Sequence, residues 1–263
     1  MPILNTIPKS GTNRFKLFLA NYLVLLRDQN RDSSVTYHEM MNTIFPNLRD
    51  EYKSGIKPYH RPSCSLLAPY GYTDFTNCHS TRFLEYYPGR MIFLYRNPLD
   101  HVISLFYYRY KYRSHRAHLF DHPREIVDES LREYARHFRF FNRPSIVRRT
   151  LRLTYEDMMQ RPLDVFRSAL EWWCIPVNDS ILPLAVDRSD IRHVQAEEER
   201  HGPIHAPEGF TGRFARSGAI AQWKEVFSDK DIQSARALLA EEGLDLDVLI
   251  RPSMEVKSHG RAP

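Results

Sequence analysis

Ile3-Leu4-Asn5-Thr6-Ile7-Pro8-Lys9-Ser10-Gly11-Thr12 is a run of apolar residues that ends in a tight loop. Helical periodicity follows at once: Phe15, Phe18, Leu19, Tyr22, Leu23 and Leu26 recur at spacings of three and four. The order is therefore strand, loop, helix. Such a loop directs backbone N–H groups and the positive end of a helix at one point, and that point suits a phosphate. Lys9 adds a positive charge, while Ser10 and Thr12 add hydroxyl donors and either can cap the helix. In the usual nucleotide loop, GxxxxGK[ST], the Lys follows the last Gly; here Lys9 precedes Gly11. Alone, the stretch reads equally as a βα turn with a surface lysine.

Met91-Ile92-Phe93-Leu94-Tyr95 is an unbroken apolar run between Gly89 and Pro98, the pattern of a strand buried on both faces of a parallel sheet. It delivers Arg96-Asn97-Pro98. Asn97 suits a helix N-cap and Pro98 the first helical position. Leu99, Val102, Ile103, Phe106, Tyr107 and Tyr110 then form a second apolar helix face. Arg96 stands at the strand tip and Ser104 two turns into that helix. The plain reading of Arg96 is an ion pair with Asp100. Thr73–Cys78 and Thr150–Thr154 read as further strands, Glu125–Phe141 as a charged surface helix, and residues 57–72 as an aromatic loop. Ile191–Arg200 reads as a charged helix, and a last helix packs by Ile232, Ala235, Leu238 and Leu239. The tail from Arg251 reads as loose.

Four stretches together resemble the PAPS-dependent sulfotransferases of the soluble, cytosolic type (PAPS is 3′-phosphoadenosine 5′-phosphosulfate). PKSGT at 8–12 resembles their 5′-phosphosulfate loop. RNPLDHVIS at 96–104 resembles their 3′-phosphate motif, with an Arg and a Ser eight residues apart. Tyr155-Glu156-Asp157 resembles the segment whose Tyr contacts adenine. Arg216-Ser217-Gly218-Ala219-Ile220-Ala221-Gln222-Trp223-Lys224 resembles RKGxxGDWK, with Ser217, Ala221 and Gln222 replacing Lys, Gly and Asp. The four fall in the family's order. The resemblance implies an α/β fold: three layers, a mostly parallel sheet flanked by helices, and a P-loop-like phosphate loop after the first strand. Alternating strands and helices agree with that class. It also implies PAPS as co-substrate, held by Lys9, Ser10, Gly11, Thr12, Asn13, Arg14, Arg96, Ser104, Tyr155, Arg216, Ser217 and Gly218. Arg14 stands where the family often has an adenine-stacking Trp, and a guanidinium can also stack on a base. The family's dimer motif, KxxxTVxxxE, is absent.

Sulfuryl transfer moves charge onto the oxygen that leaves sulfur, so a placed cation there stabilises the transition state. Lys9 is the candidate. No metal is signalled. The acceptor must lose a proton, and His is the usual base near neutral pH. In the family that His ends a strand, in a pattern like KTH; here Asn77-Cys78-His79 puts His79 there, 17 residues before Arg96. His60 and Glu85 are the reserves.

The remaining composition bounds these readings. The chain has 263 residues, 42% of them hydrophobic, with no repeat or linker tract, which points to a single domain over 1–263. The formal charge of +5 is uneven: YRYKYRSHRAH spans 108–118, and four further Arg lie between 143 and 152. A basic field favours an anionic ligand, an acidic glycan, nucleic acid or a membrane surface, without choosing among them. Three well-separated cysteines in no metal-ligand spacing argue against a disulfide framework and for a reducing compartment. No signal peptide, anchor or membrane span is read, so the expected location is cytoplasmic. The rival readings are a basic protein binding nucleic acid or anionic surfaces, which leaves the ordered phosphate clamps unexplained, and a P-loop kinase, opposed by the missing GK[ST]. The acceptor class that fits best is a carbohydrate or small natural product; nucleic acid is not the expected partner.

Overall fold

The computed structural model describes residues 2–45, 65–72, 75–81, 84–112, 114–203, 210, 212–213 and 215–250. His60, the reserve base, the first half of the aromatic loop and the tail from Arg251 lie outside them. In chain order the main elements are β1 (Ile3–Thr6), α1 (Thr12–Asp28), β2 (Thr76–Cys78), β3 (Met91–Tyr95) and α2 (Pro98–Phe106). Then come α3 (Val127–Phe141), β4 (Thr150–Thr154), α4 (Tyr155–Gln160), α5 (Pro162–Trp172), α6 (Leu182–Arg188) and α7 (Ile191–His201). The last are α8 (Trp223–Val226), α9 (Asp229–Glu241) and α10 (Leu246–Ile250). Leu84–Tyr86, before β3, form one 3-10 turn.

The four strands are parallel in the order β2-β1-β3-β4. Alternate residues face opposite ways, so β1 and β3 each feed two cores. Leu4, Ile92, Leu94 and Leu153 pack with α1, α5 and α6. Ile3, Met91, Phe93 and Tyr95 pack with α2, α3 and α9. This is the three-layer arrangement that the resemblance implies.

α1 is enclosed on all sides: every residue from Phe15 to Leu25 is buried. Phe18 stacks on Phe166 of α5 with centroids 3.8 Å apart. Asn21 survives there because its amide bonds the Leu17 and Val35 carbonyls and its oxygen takes the Val35 N–H. Lys16 is enclosed too, 3.6 Å from Met41 Sδ, and burial pulls its pKa down to about 7.

The segment expected to be a surface helix, α3, belongs to the core instead. Leu131, Tyr134, Ala135, Phe138 and Phe141 are buried, and Phe141 stacks on Phe93 at 3.9 Å. Its many charges occupy one arc, and the apolar residues at three- and four-residue spacing occupy the other.

Because α1 follows β1 onto one face and α2 follows β3 onto the other, the order of the sheet turns between β1 and β3. In open parallel sheets such a turning point, beyond the C-terminal ends of the strands, is where a ligand crevice lies.

Candidate active site

The loop after β1 is shaped by two left-handed residues, Lys9 at φ 68 and Gly11 at φ 92. For lysine that conformation costs about 1–2 kcal/mol. Ser10 N–H donates to the Ile7 carbonyl at 3.2 Å, closing the turn. Gly11, not Ser10 or Thr12, is the N-cap of α1, and no side chain caps it. Thr12 turns its hydroxyl to Thr6 Oγ1 at 2.8 Å. Ser10 is fully buried, and its Oγ has no partner among the described residues. A Cβ at Gly11 would lie 2.8 Å from Tyr155 Cδ2 and closer still to Met158, so only glycine lets α4 close against the loop. Asn13 donates to the Tyr37 hydroxyl at 2.6 Å.

The chain beyond α2 continues as a π-helical turn, Tyr107–Lys111. That turn presents Tyr108 to the loop, with Lys9 Nζ 4.5 Å from the ring centre.

His79 follows β2 directly and lies beside β1. Its Nδ1 is 2.9 Å from the Thr6 carbonyl and 2.8 Å from the Thr6 hydroxyl. A carbonyl only accepts, so Nδ1 carries the proton and Nε2 is the basic nitrogen of the neutral ring. Behind it, His137 Nε2 lies 2.9 Å from the His79 carbonyl and its Nδ1 3.1 Å from the Glu133 carbonyl. Thr6 thus joins the base candidate to the hydroxyl of the phosphate loop. Glu85, the other reserve base, is more than half exposed and pairs with Arg143 at 3.0 Å, a surface role.

Arg96, at the end of β3, is only 4% exposed. It donates to the Ala219 carbonyl at 2.6 Å and lies 3.7 Å from Asp100 and 3.9 Å from Glu156. Its guanidinium carbon sits 4.4 Å over the Tyr155 ring. Its Nε is buried and has no hydrogen-bond partner among the described residues. The ion pair with Asp100 therefore exists, but Asp100 does more: it accepts the N–H groups of Ala221 and Trp223 at 2.7 and 3.0 Å. That carboxylate fastens the late Arg216–Lys224 segment onto α2. Burial raises the Glu156 pKa to about 7, against the pull of Arg96.

In the late segment Arg216 lies 4.6 Å over the Tyr107 ring and is hydrogen-bonded to Gln222. Gln195 of α7 donates to the carbonyls of Ala215 and Arg216. Gly218 is left-handed at φ 67, and so is Ala221 at φ 59, where the family's motif has glycine. Ser217 is exposed, and its hydroxyl takes the Ala219 N–H. Ser104 is half-buried two turns along α2, with no hydrogen bond to Arg96. Arg14 donates to Met159 Sδ, between Tyr155 and Asp190; burial lowers its pKa against the pull of those two. Tyr155 is 7% exposed, and burial raises its pKa.

Lys9, His79, Arg96 and Tyr155 therefore converge at one edge of the sheet. Sequence reading passed over Thr6, Tyr108 and Tyr134, whose hydroxyl donates to the Arg96 carbonyl at 2.7 Å. Thr6 carried one signal, its place as the last residue of the strand before PKSGT.

A family model for the sulfotransferase domain matches residues 2–245. The chain belongs to the sulfotransferase family. It is an enzyme of that family, a PAPS-dependent sulfotransferase. No curated protein sequence matches this sulfotransferase. Among solved structures, mouse sulfotransferase SULT7A1 complexed with PAP superposes with a TM-score of 0.62 at 16% identity. That match covers 98% of this chain and 88% of the mouse chain. Retinol dehydratase in complex with androsterone and PAP gives 0.58 at 15% identity, over 92% of this chain and 80% of its own. At such identities these likenesses concern the fold. In this sulfotransferase, no helix among the described residues is long and apolar enough to cross a membrane.

Proposed function

We propose that this sulfotransferase moves the sulfuryl group of PAPS to a hydroxyl or amine of a small-molecule or carbohydrate acceptor. The observation that carries the reading is the Thr6 bridge, which sets His79 and the Lys9 loop side by side at the crevice. The donor's requirements match the residues present. The Ser10 hydroxyl and Arg96 Nε are buried donors in want of acceptors, and Gly11 leaves room for Tyr155 against the loop. Backbone N–H groups of 11–13 with Ser10 and Thr12 hold the 5′-phosphosulfate. Arg96, Ser104 and the Arg216–Gly218 segment hold the 3′-phosphate, and Tyr155 with Arg14 flanks the adenine.

His79 Nε2 takes the acceptor's proton as the acceptor atom bonds to sulfur. The bond from sulfur to the 5′-phosphate oxygen breaks, and Lys9 Nζ balances the charge gathering on that oxygen. The product is adenosine 3′,5′-bisphosphate (PAP). Tyr107, Tyr108, Tyr112 and Phe210 cluster beyond Lys9, which favours an acceptor with a ring. The proposed location is a reducing compartment.

Calorimetric titration with PAP, against ATP and adenosine 5′-phosphate, tests the donor site. Selective binding is expected, and Arg96→Ala removes the selectivity. Lys9→Ala and His79→Ala lower turnover of labelled PAPS by about a hundredfold or more. Full turnover in both variants overturns the assignment of these roles, and folded protein that ignores PAP overturns the donor site.

A further inference from the structure

His101 is a third histidine at the crevice, and the transfer step does not use it. It lies on α2 between the Arg96 and Ser104 positions and is 1% exposed. Its Nδ1 is 3.0 Å from the Pro8 carbonyl, which can only accept, so Nδ1–H donates. Its Nε2 has no partner among the described residues. A buried imidazole with one orphaned nitrogen is a costly way to fill space that an apolar side chain fills better. Its return is therefore concentrated in the one bond it makes.

That bond falls where it matters. The Pro8 carbonyl belongs to the peptide plane whose other end is the Lys9 N–H. Turning this plane turns Lys9 φ, which stands in the left-handed region at 68°. The same ring lies 5.6 Å from the ring of Tyr134, whose hydroxyl holds the Arg96 carbonyl. His101 thus touches the supports of both phosphate-binding segments, one on β1 and one on β3.

We infer that His101 is a positioning residue of the donor site: it pins the Pro8–Lys9 peptide in its left-handed turn and ties that turn to the Arg96 segment. The inference rests on the donor-site reading above. When the bond is lost, the loop samples other peptide orientations, the N–H groups of 11–13 no longer converge, and Lys9 leaves its place.

Two variants separate positioning from packing. His101→Leu keeps bulk and removes the donor. His101→Asn keeps an N–H near the Nδ1 position. Loss of one hydrogen bond predicts about tenfold weaker PAP binding and a higher KM for PAPS in His101→Leu, with most of both restored in His101→Asn. Amide NMR of the ligand-free proteins supplies a second readout: shifts of residues 9–12 move in the Leu variant and return toward wild type in the Asn variant. Equal affinity and unmoved amides in His101→Leu overturn the inference, and so does equal loss in both variants. Wild-type protein that ignores PAP removes the donor-site reading alone, since the amide shifts still decide whether His101 holds the loop.

Discussion

His101 takes a proton in the folded protein only near pH 3, because burial disfavours the charged ring and Arg109, Arg96 and His137 add to that effect. Unfolded, it takes one near its ordinary value of 6.5. Between those values the unfolded chain binds the extra proton, so stability falls as pH falls, by about 1.4 kcal/mol per pH unit from this group. Urea unfolding from pH 7 to pH 4 is expected to show a shallower acid loss in His101→Leu than in wild type. Glu156 acts in the opposite sense. Its pKa rises from 4.5 to about 7 on folding, so its contribution is complete below 4.5 and is lost as pH climbs through 7. Its ionised form also competes with a phosphate for Arg96. Glu156→Gln is therefore expected to tighten PAP binding roughly threefold at pH 8 and hardly at all at pH 6, read by titration at both values. Neither residue was legible beforehand. Glu156 was one letter of a motif, and His101 fell outside the apolar face read for its helix. What makes each informative is a partner more than fifty residues away.

At the scale of elements, local signals were clearest where one residue type has a single use. Asn97 accepts the N–H groups of Leu99 and Asp100, and Pro98 opens α2, as the sequence pattern required. β3 and β4 have the bounds read from the sequence. The phosphate loop was legible as a loop but not in its capping, because the Thr12 hydroxyl is drawn to Thr6 and Ser10 is turned inward. α3 was misjudged because its many charges were weighed by number, whereas spacing decides which arc faces the core. Its two faces should answer mutation differently. Phe141→Ala removes a ring stacked on Phe93 and is expected to cost about 3–5 kcal/mol. Arg136→Ala, on the exposed arc, should stay within about 0.5 kcal/mol. Chemical denaturation of the two variants checks this, and similar costs would show that α3 is not seated as described.

For the whole molecule, the parallel sheet gathers the candidate site from four strand ends and both helical layers. A ligand in the crevice spans α1 on one side and α2 on the other, so it should stabilise the entire fold. PAP at a hundred times its Kd is expected to add about 2.7 kcal/mol, a rise in Tm of about 5 °C. Ser10→Ala gives the complementary outcome. It deletes an unsatisfied buried hydroxyl, so the ligand-free protein should be as stable as wild type or more so, while PAP binding weakens about tenfold. Thermal melts with and without PAP read both effects. A free variant that melts several degrees lower would mean that the hydroxyl has a structural partner after all.

The placing of β1 in the sheet also bears on biosynthesis. Ile3 pairs with Thr76 on one side and with Met91 on the other. While the chain is being translated, β1 and the helix after it are made well before either neighbouring strand leaves the ribosome. Two open strand edges and the helix's apolar sides must wait together, the circumstance in which nascent chains aggregate or engage chaperones. Native pairing then joins distant segments on both flanks, which slows folding. A nascent chain stalled before residue 91 should therefore remain sensitive to protease throughout its first helix, and release from that sensitivity should come only once β3 is available.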